Sequence, residues 1–225
     1  MHYPRIYPIH DYALTIEFSN LINEASHQQV MQLKREMEDN PFSGYVESVP
    51  AYSSLTVYFT APATAERVMQ EMQSRMKSSN TSAVHTASRK IEIPVCYDSS
   101  FAIDLEAVME STGLDHEAIV QMHTANEFNV YMIGFLPGFA YMGTLPAALE
   151  TARKKTPSTK IPPGSVAIAG KQTGIYPAAS PGGWNVIGRT PVRMFDPERP
   201  PYSYLQAGDR VQFKPISLSA YESLL

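Results

Sequence analysis

Nine of the twelve glycines in this chain of 225 residues lie between Gly134 and Gly188, and no other feature limits the second half of the chain as strongly. Glycine supplies turns with positive φ and close backbone approach, and it weakens helix interiors. Short apolar segments alternate with these Gly/Pro turns, at residues 128–133, 166–169, 184–187, 192–195 and 210–213. Many short strands and few helices predict a β-barrel or sandwich. Two short helices are expected ahead of them, over 105–110 and 117–123. Gly113 should stop the first and Asp115 cap the second.

The first eighty-odd residues have a different texture. Residues 13–18 alternate as a half-buried strand. Asn23 can cap a helix that puts Val30, Leu33 and Met37 on one face. Residues 45–49 and 54–59 read as strands around a turn at Pro50. A second helix follows, with Pro62 near its first turn and Ala65, Val68, Met69, Met72 and Met76 as a stripe that reads as core packing. A polar loop is expected at 77–82, then a strand at 91–95. The order β-α-β-β-α-β predicts a ferredoxin-like α+β unit over 1–87, whose last strand could instead belong to the following unit, 88–225.

Charge is unevenly placed. Residues 151–193 carry seven Lys or Arg and no Asp or Glu, so with a whole-chain charge of -4 the remainder holds -11. The overall sign argues against general nucleic-acid binding, while the basic segment suggests local attraction for carboxylate or phosphate groups, or for an acidic partner. A single cysteine, Cys96, excludes an intramolecular disulfide. With no signal-peptide pattern at the N-terminus, the expectation is a soluble cytoplasmic protein. The uncharged run 130–149 has the length of a membrane span, but its glycines and prolines read as a strand and a turn-rich loop.

Most familiar chemistries are refused. Gly170-Lys171 lacks a glycine at phosphate-loop spacing, and Gln172 stands where Ser or Thr would bind magnesium. There is no G-x-S-x-G elbow. The histidines and Cys96 show no metal-ligand spacing, so no metal site is expected. His123 reads as a structural histidine and Cys96 as a buried, inert thiol.

What remains is two loops. Residues 134–143, which include Gly138 and Phe139, mix aromatics with glycines directly after a strand. Residues 168–177 lead into Ser180-Pro181-Gly182-Gly183-Trp184. Here Gln172, Thr173, Tyr176 and Ser180 offer neutral hydrogen-bond groups, Gly182 and Gly183 offer backbone amides, and Trp184 an apolar wall. Arg189 could hold a carboxylate or phosphate in a bidentate fork. The alternative is that these glycines turn barrel corners and Trp184 fills core.

Residues 134–143 resemble the signature G-F-x-P-G-F-x-Y-[LM]-G. Gly164-Ser165-Val166-Ala167-Ile168-Ala169-Gly170-Lys171-Gln172-Thr173-Gly174-Ile175-Tyr176-Pro177, followed by residues 180–190, resembles G-S-V-x-I-A-G-x-Q-T-G-[IV]-Y-P with S-P-G-G-W-x-[LIV]-[IL]-G-[RK]-T. These are signatures of the family of the 5-oxoprolinase B subunit, also called allophanate hydrolase subunit 1 or kinase A inhibitor. Similarity extends to residues 49–55 and 93–97.

The resemblance implies a small α+β domain followed by a cyclophilin-like β-barrel domain. It also implies a non-autonomous component of an ATP-dependent 5-oxoprolinase, with ATP used at the assembled complex. The implied partners are a homologous C subunit, a ring-opening A subunit and a lactam substrate. On this reading Arg189, Lys171 and Tyr176 are the catalytic candidates, and Gln172, Thr173, Ser180, Gly182, Gly183, Trp184, Gly138 and Phe139 the substrate-binding ones. The alternatives it carries are inhibition of a histidine kinase by direct binding, and a carboxyltransferase-like role in urea or allophanate metabolism. Ser158 stands where the family pattern has a second arginine. An anion contact made there would pass to a neighbouring lysine, Lys154, Lys155 or Lys160.

Overall fold

The computed structural model describes residues 3–79 and 88–225. The chain divides into two compact units, Met1–Ala87 and Ser88–Leu225, each with its own core.

In the first unit the strands are β1 (Arg5–His10), β2 (Ala13–Glu17), β3 (Tyr45–Ala51) and β4 (Ser54–Phe59), and the helices α1 (Glu24–Asp39) and α2 (Ala65–Ser79). Asn23 caps α1 as expected, its side-chain oxygen accepting from the Ser26 amide at 2.8 Å. Val30, Leu33 and Met37 of α1 and Val68 and Met72 of α2 are buried against Leu14, Ile16, Leu55, Val57 and Phe59. Side chains of this size each contribute about 1.5–3 kcal/mol when fully buried. Pro62 lies in the turn ahead of α2 rather than within it. Residues 77–79 of the expected polar loop continue α2, and 80–82 lie outside the described residues.

The sheet order is β1-β2-β4-β3, antiparallel throughout. Of the two placements open for the strand at 91–95, the second holds: it belongs to the barrel of the following unit, and the place beside β2 is taken by β1. That strand shows little periodicity because it is an edge strand with Pro8 and mostly exposed side chains.

The second unit holds the barrel. Strands β5 (Lys90–Cys96), β6 (Glu127–Ile133), β7 (Ala140–Gly143), β9 (Ser165–Ala169), β10 (Gln172–Ile175), β12 (Asn185–Arg189) and β13 (Arg210–Ile216) close in the order β10-β7-β6-β13-β5-β12-β9. Strand β13 runs parallel to β5, and the other paired strands are antiparallel. A separate ribbon pairs β8 (Ser158–Ile161) with β11 (Ser180–Gly182). Helices α3 (Leu105–Thr112), α4 (His116–Thr124) and α5 (Leu218–Ser223) complete the unit. Gly113 ends α3 at φ 72°, and the Asp115 side chain caps α4 through the Ala118 amide.

Strand β9 shows how the unit is layered. All five residues are buried. Val166 and Ile168 enter the barrel core, whereas Ala167 and Ala169 join a second cluster with Phe139, Ile161, Tyr176, Trp184 and Val186. A strand buried on both faces reads as a continuous apolar run.

Residues 192–195, expected as a strand, make only an isolated bridge from Phe195 to Ser203. Both edges of β12 are already occupied, by β9 and β5, so the next segment has no edge to join. The run 130–149 holds the end of β6, a turn-rich loop, β7 and, after a further turn, a short 3-10 helix (Ala147–Leu149). No helix among the described residues is long and apolar enough to cross a membrane.

Candidate functional site

The second cluster gathers the two glycine-rich segments on the outer face of β7, β9, β10 and β12. Phe139 is its centre, with ring centroids 4.8 Å from Tyr141, 5.1 Å from Tyr176 and 5.6 Å from Trp184. Gly174 makes this possible: a Cβ there would lie 3.0 Å from the Phe139 ring and 3.1 Å from Trp184. Phe135, 61% exposed and at φ 70°, stands edge-on to Phe139 at 5.6 Å. Left-handed backbone is uncommon for a bulky residue and marks a constrained loop tip.

Charged groups frame this aromatic floor. The Lys154 amide donates to the Gly183 carbonyl at 2.8 Å, and the Asn185 amide nitrogen donates to the Ala152 carbonyl at 2.9 Å. These bonds place the Arg153 guanidinium over the Trp184 ring, 6.0 Å from its centroid. Asp104, just ahead of α3, accepts from Lys154 Nζ at 2.8 and 2.9 Å and from the Val186 amide at 2.9 Å. Lys154 Nζ also donates to Ser158 Oγ at 2.6 Å, so the lysine that stands at Ser158 is Lys154, anchored by a carboxylate. Burial raises the Tyr141 and Tyr176 hydroxyl pKa values, with Arg153 opposing in both; for Tyr176 a hydrogen bond from the Trp184 backbone opposes more strongly. Both phenols are therefore neutral donors at pH 7.

The expected site residues separate into groups. Tyr176, Trp184, Gly182 and Gly183 are brought together. A Cβ on Gly182 would collide with the Tyr176 hydroxyl, whereas one on Gly183 would make only ordinary van der Waals contact, at 3.9 Å, with the Lys154 carbonyl oxygen and Pro157. Ser180 Oγ is buried and has no hydrogen-bond partner among the described residues. Arg189 flanks the cluster: its Nε donates to the Pro163 carbonyl at 2.9 Å and its guanidinium lies 5.6 Å from the Phe101 ring centroid. That anchoring leaves its terminal nitrogens without a hydrogen-bond partner among the described residues.

Other candidates are placed elsewhere. Thr173 is fully buried on the barrel side of β10, where its Oγ1 pairs with His123 Nε2 at 2.9 Å and donates to the Ala167 carbonyl at 3.2 Å. Phe139, at 1% exposure, is packing rather than a contact surface. Gly138, at φ 83°, is needed because Met194 and Phe195 pass against it. Lys171 sits exposed at the β9–β10 turn, paired with Glu150 at 3.6 Å. It is five residues from Tyr176, about 17 Å along a strand. Gln172, half-buried, follows it on β10.

Residue-by-residue reading missed Asp104, Tyr141 and Arg153 as members of the site. Arg153 had a signal, its position in the basic segment ahead of the glycine-rich motif. Asp104 had none. Among the described residues no three His, Cys, Asp or Glu side chains converge as a metal site. Cys96, at 1% exposure, is closed to solvent. The arrangement offers an aromatic floor, neutral phenolic donors and fixed cations. It is suited to holding a small anionic molecule rather than attacking it.

Residues 4–205 match the family model described as carboxyltransferase domain, subdomain C and D. The 5-oxoprolinase B subunit of Bacillus subtilis (strain 168) is 38% identical over 95% of this chain and 93% of its own length. The protein of the same name from Escherichia coli O157:H7 is 37% identical over 96% of this chain and 97% of its own. Among solved structures, TTHA0988 superposes with a TM-score of 0.79 at 32% identity, covering 91% of this chain, which spans only 40% of that longer chain. The chain therefore belongs to the family of 5-oxoprolinase B subunits, within the carboxyltransferase subdomain C and D group.

Proposed function

We propose that this protein is the B subunit of an ATP-dependent 5-oxoprolinase, working with a homologous C subunit and a ring-opening A subunit to convert 5-oxoproline to glutamate. The observation that carries the reading is identity of 38% to a 5-oxoprolinase B subunit across 95% of the chain. The site's chemistry agrees with it. A lactam amide resists hydrolysis, and activation by phosphoryl transfer to its oxygen would place a second anion beside the substrate carboxylate. Stabilising that species calls for positioned cations and donors rather than a nucleophile. Arg189, anchored through Nε with its fork free, and Arg153 above Trp184 are the cations; Tyr141, Tyr176 and the Gly182–Gly183 backbone orient the substrate.

The test is 5-oxoproline-stimulated ATP hydrolysis by the purified chain, alone and with its C and A subunits. Turnover is expected only in the mixture. Replacing Arg189 by Ala should lower kcat/KM by about a hundredfold, the usual loss of one well-placed anion donor. Lys171→Ala should change it less than about threefold, because an exposed pair contributes little. A mixture equally active without this chain would sink the subunit reading. Full activity of the Arg189 variant would remove only that residue's role.

A further inference from the structure

The residue just ahead of α3 behaves unlike those at the other capped helix starts. Asn23, Asp115 and Ser217 each accept from an amide in the first turn of the helix they precede. Asp104 holds the same position on α3, and aspartate is among the residues preferred there, yet its side chain makes no capping bond. It turns instead to the aromatic cluster. Its own amide donates to the Val186 carbonyl at 3.0 Å, and its Oδ2 accepts from the Val186 amide at 2.9 Å. The same carboxylate takes Lys154 Nζ on both oxygens, at 2.8 and 2.9 Å, with each side chain no more than 17% exposed. A pair at that depth contributes little net stability against an apolar pair of the same shape, but removing one partner strands a charge, so the pair fixes geometry.

Lys154 has no proton left for a ligand. Its three N–H groups are matched by the two Asp104 oxygens and by Ser158 Oγ at 2.6 Å. It acts as a strap. Its backbone amide holds the Gly183 carbonyl at 2.8 Å while its side chain is held by Asp104, so residues 153–154 are tied at both ends beside Trp184. Arg153 is exposed, and among the described residues its guanidinium has no hydrogen bond or ion pair of its own; it lies over the Trp184 ring, 6.0 Å from the centroid. The position of that guanidinium is therefore set by Lys154, and the position of Lys154 by Asp104.

We propose that Asp104 is a positioning residue of the anion-holding site: through Lys154 it fixes the Arg153 guanidinium above Trp184. The consequence for turnover rests on the subunit role proposed above. The placement of Arg153 does not, and is read on this chain alone.

The experiment compares Arg153→Ala, Asp104→Asn and the double variant. Asparagine keeps an oxygen for the Val186 amide and removes the charge that holds Lys154. On the isolated chain, emission of Trp184, the sole tryptophan, reports the cation above its ring. Arg153→Ala should shift the emission maximum, Asp104→Asn should reproduce that shift, and the double variant should add nothing to it. Asp115→Ala removes the cap of α4 and should lower the urea midpoint without moving the emission. In the assembled enzyme each single variant should lower kcat/KM for 5-oxoproline by about tenfold, the scale of one charged contact, and the double variant by no more than either. Wild-type emission in either single variant, or the same shift in Asp115→Ala, overturns the positioning role. Multiplicative loss of kcat/KM in the double variant overturns it as well. An assembled enzyme without 5-oxoproline turnover would count against the subunit reading alone, and the emission of Asp104→Asn would still decide the role of Asp104.

Discussion

Replacing His123 by alanine is expected to destabilise the barrel unit by about 4 kcal/mol, combining a large-to-small core cavity with newly orphaned polar groups. His123 is fully buried, stacked on Phe213 at 4.4 Å with the planes 17° apart. Its Nδ1 pairs with the Tyr97 hydroxyl at 2.7 Å and its Nε2 with Thr173 Oγ1 at 2.9 Å. The Thr173 hydroxyl in turn donates a hydrogen bond to the Ala167 carbonyl. One assignment satisfies the whole chain: Tyr97 donates to Nδ1, and Nε2–H donates to Thr173. The imidazole must therefore be neutral, and burial pushes its pKa from 6.5 down to about 3.

The sign of the pH dependence follows. Between pH 6.5 and 3 the unfolded chain binds a proton at this histidine that the native chain refuses. Stability is full above pH 6.5 and falls as pH drops, by about 1.4 kcal/mol per unit, or roughly 3 kcal/mol from pH 7 to 4. His123→Gln keeps polar atoms but does not titrate, so its stability should fall less over that range. Trp184, the sole tryptophan, lies in this unit and reports its unfolding in urea. Wild type and the Gln variant losing stability in parallel from pH 7 to 4 would exclude the buried neutral imidazole as the source.

Gly164→Ala is expected to cost a comparable amount, about 2–5 kcal/mol, for a different reason. Gly164 sits at φ 79°, and a Cβ there would collide with the Thr190 carbonyl oxygen. Its amide donates to the Tyr176 carbonyl at 2.7 Å, and its own carbonyl accepts from the Thr190 amide at 2.9 Å. The residue is clamped between two segments and cannot relax. Left-handed backbone costs an alanine about 1–2 kcal/mol, and overpacking about 1–3 more. Gly170 is the internal control. It has φ 55° but nothing within 4 Å of its Cβ position, so Gly170→Ala should lose only the backbone part. Equal urea midpoints for the two variants would show that the contact with Thr190 contributes nothing. Because Gly164 joins the segment bearing Arg189 to the one bearing Tyr176, its substitution should also depress turnover of the assembled enzyme.

The same glycines show where sequence reading was informative. Their density correctly indicated a demanding backbone, but the reason differed from place to place. Gly164 and Gly138 need positive φ beside a passing segment, Gly174 clears room for Trp184 and Phe139, and Gly170 needs positive φ in open space. Residues 168–177, read as one ligand loop, contain the end of β9 and all of β10, and strand alternation turns Thr173 inward where Gly174 faces out. Nothing local reveals that inward turn, because the group Thr173 satisfies, His123, lies fifty residues earlier. Asp104 was invisible for the same reason: its partners Lys154 and Val186 are fifty and eighty-two residues away.

By itself the sequence determined what depends on neighbours within a turn or two. Those features are the Asn23 and Asp115 caps, the Gly113 stop, the apolar faces of α1 and α2, the strand character of β2, β4 and β6, and the motifs that place the chain in its family. The tertiary structure alone decided which strand completes each sheet, which side of β10 faces the barrel, and how Arg153, Asp104 and Lys154 are drawn to Trp184. Those outcomes depend on closing long loops and filling every strand edge and buried polar group at once. Such constraints act between residues far apart in the chain, where periodicity carries no record of the partner.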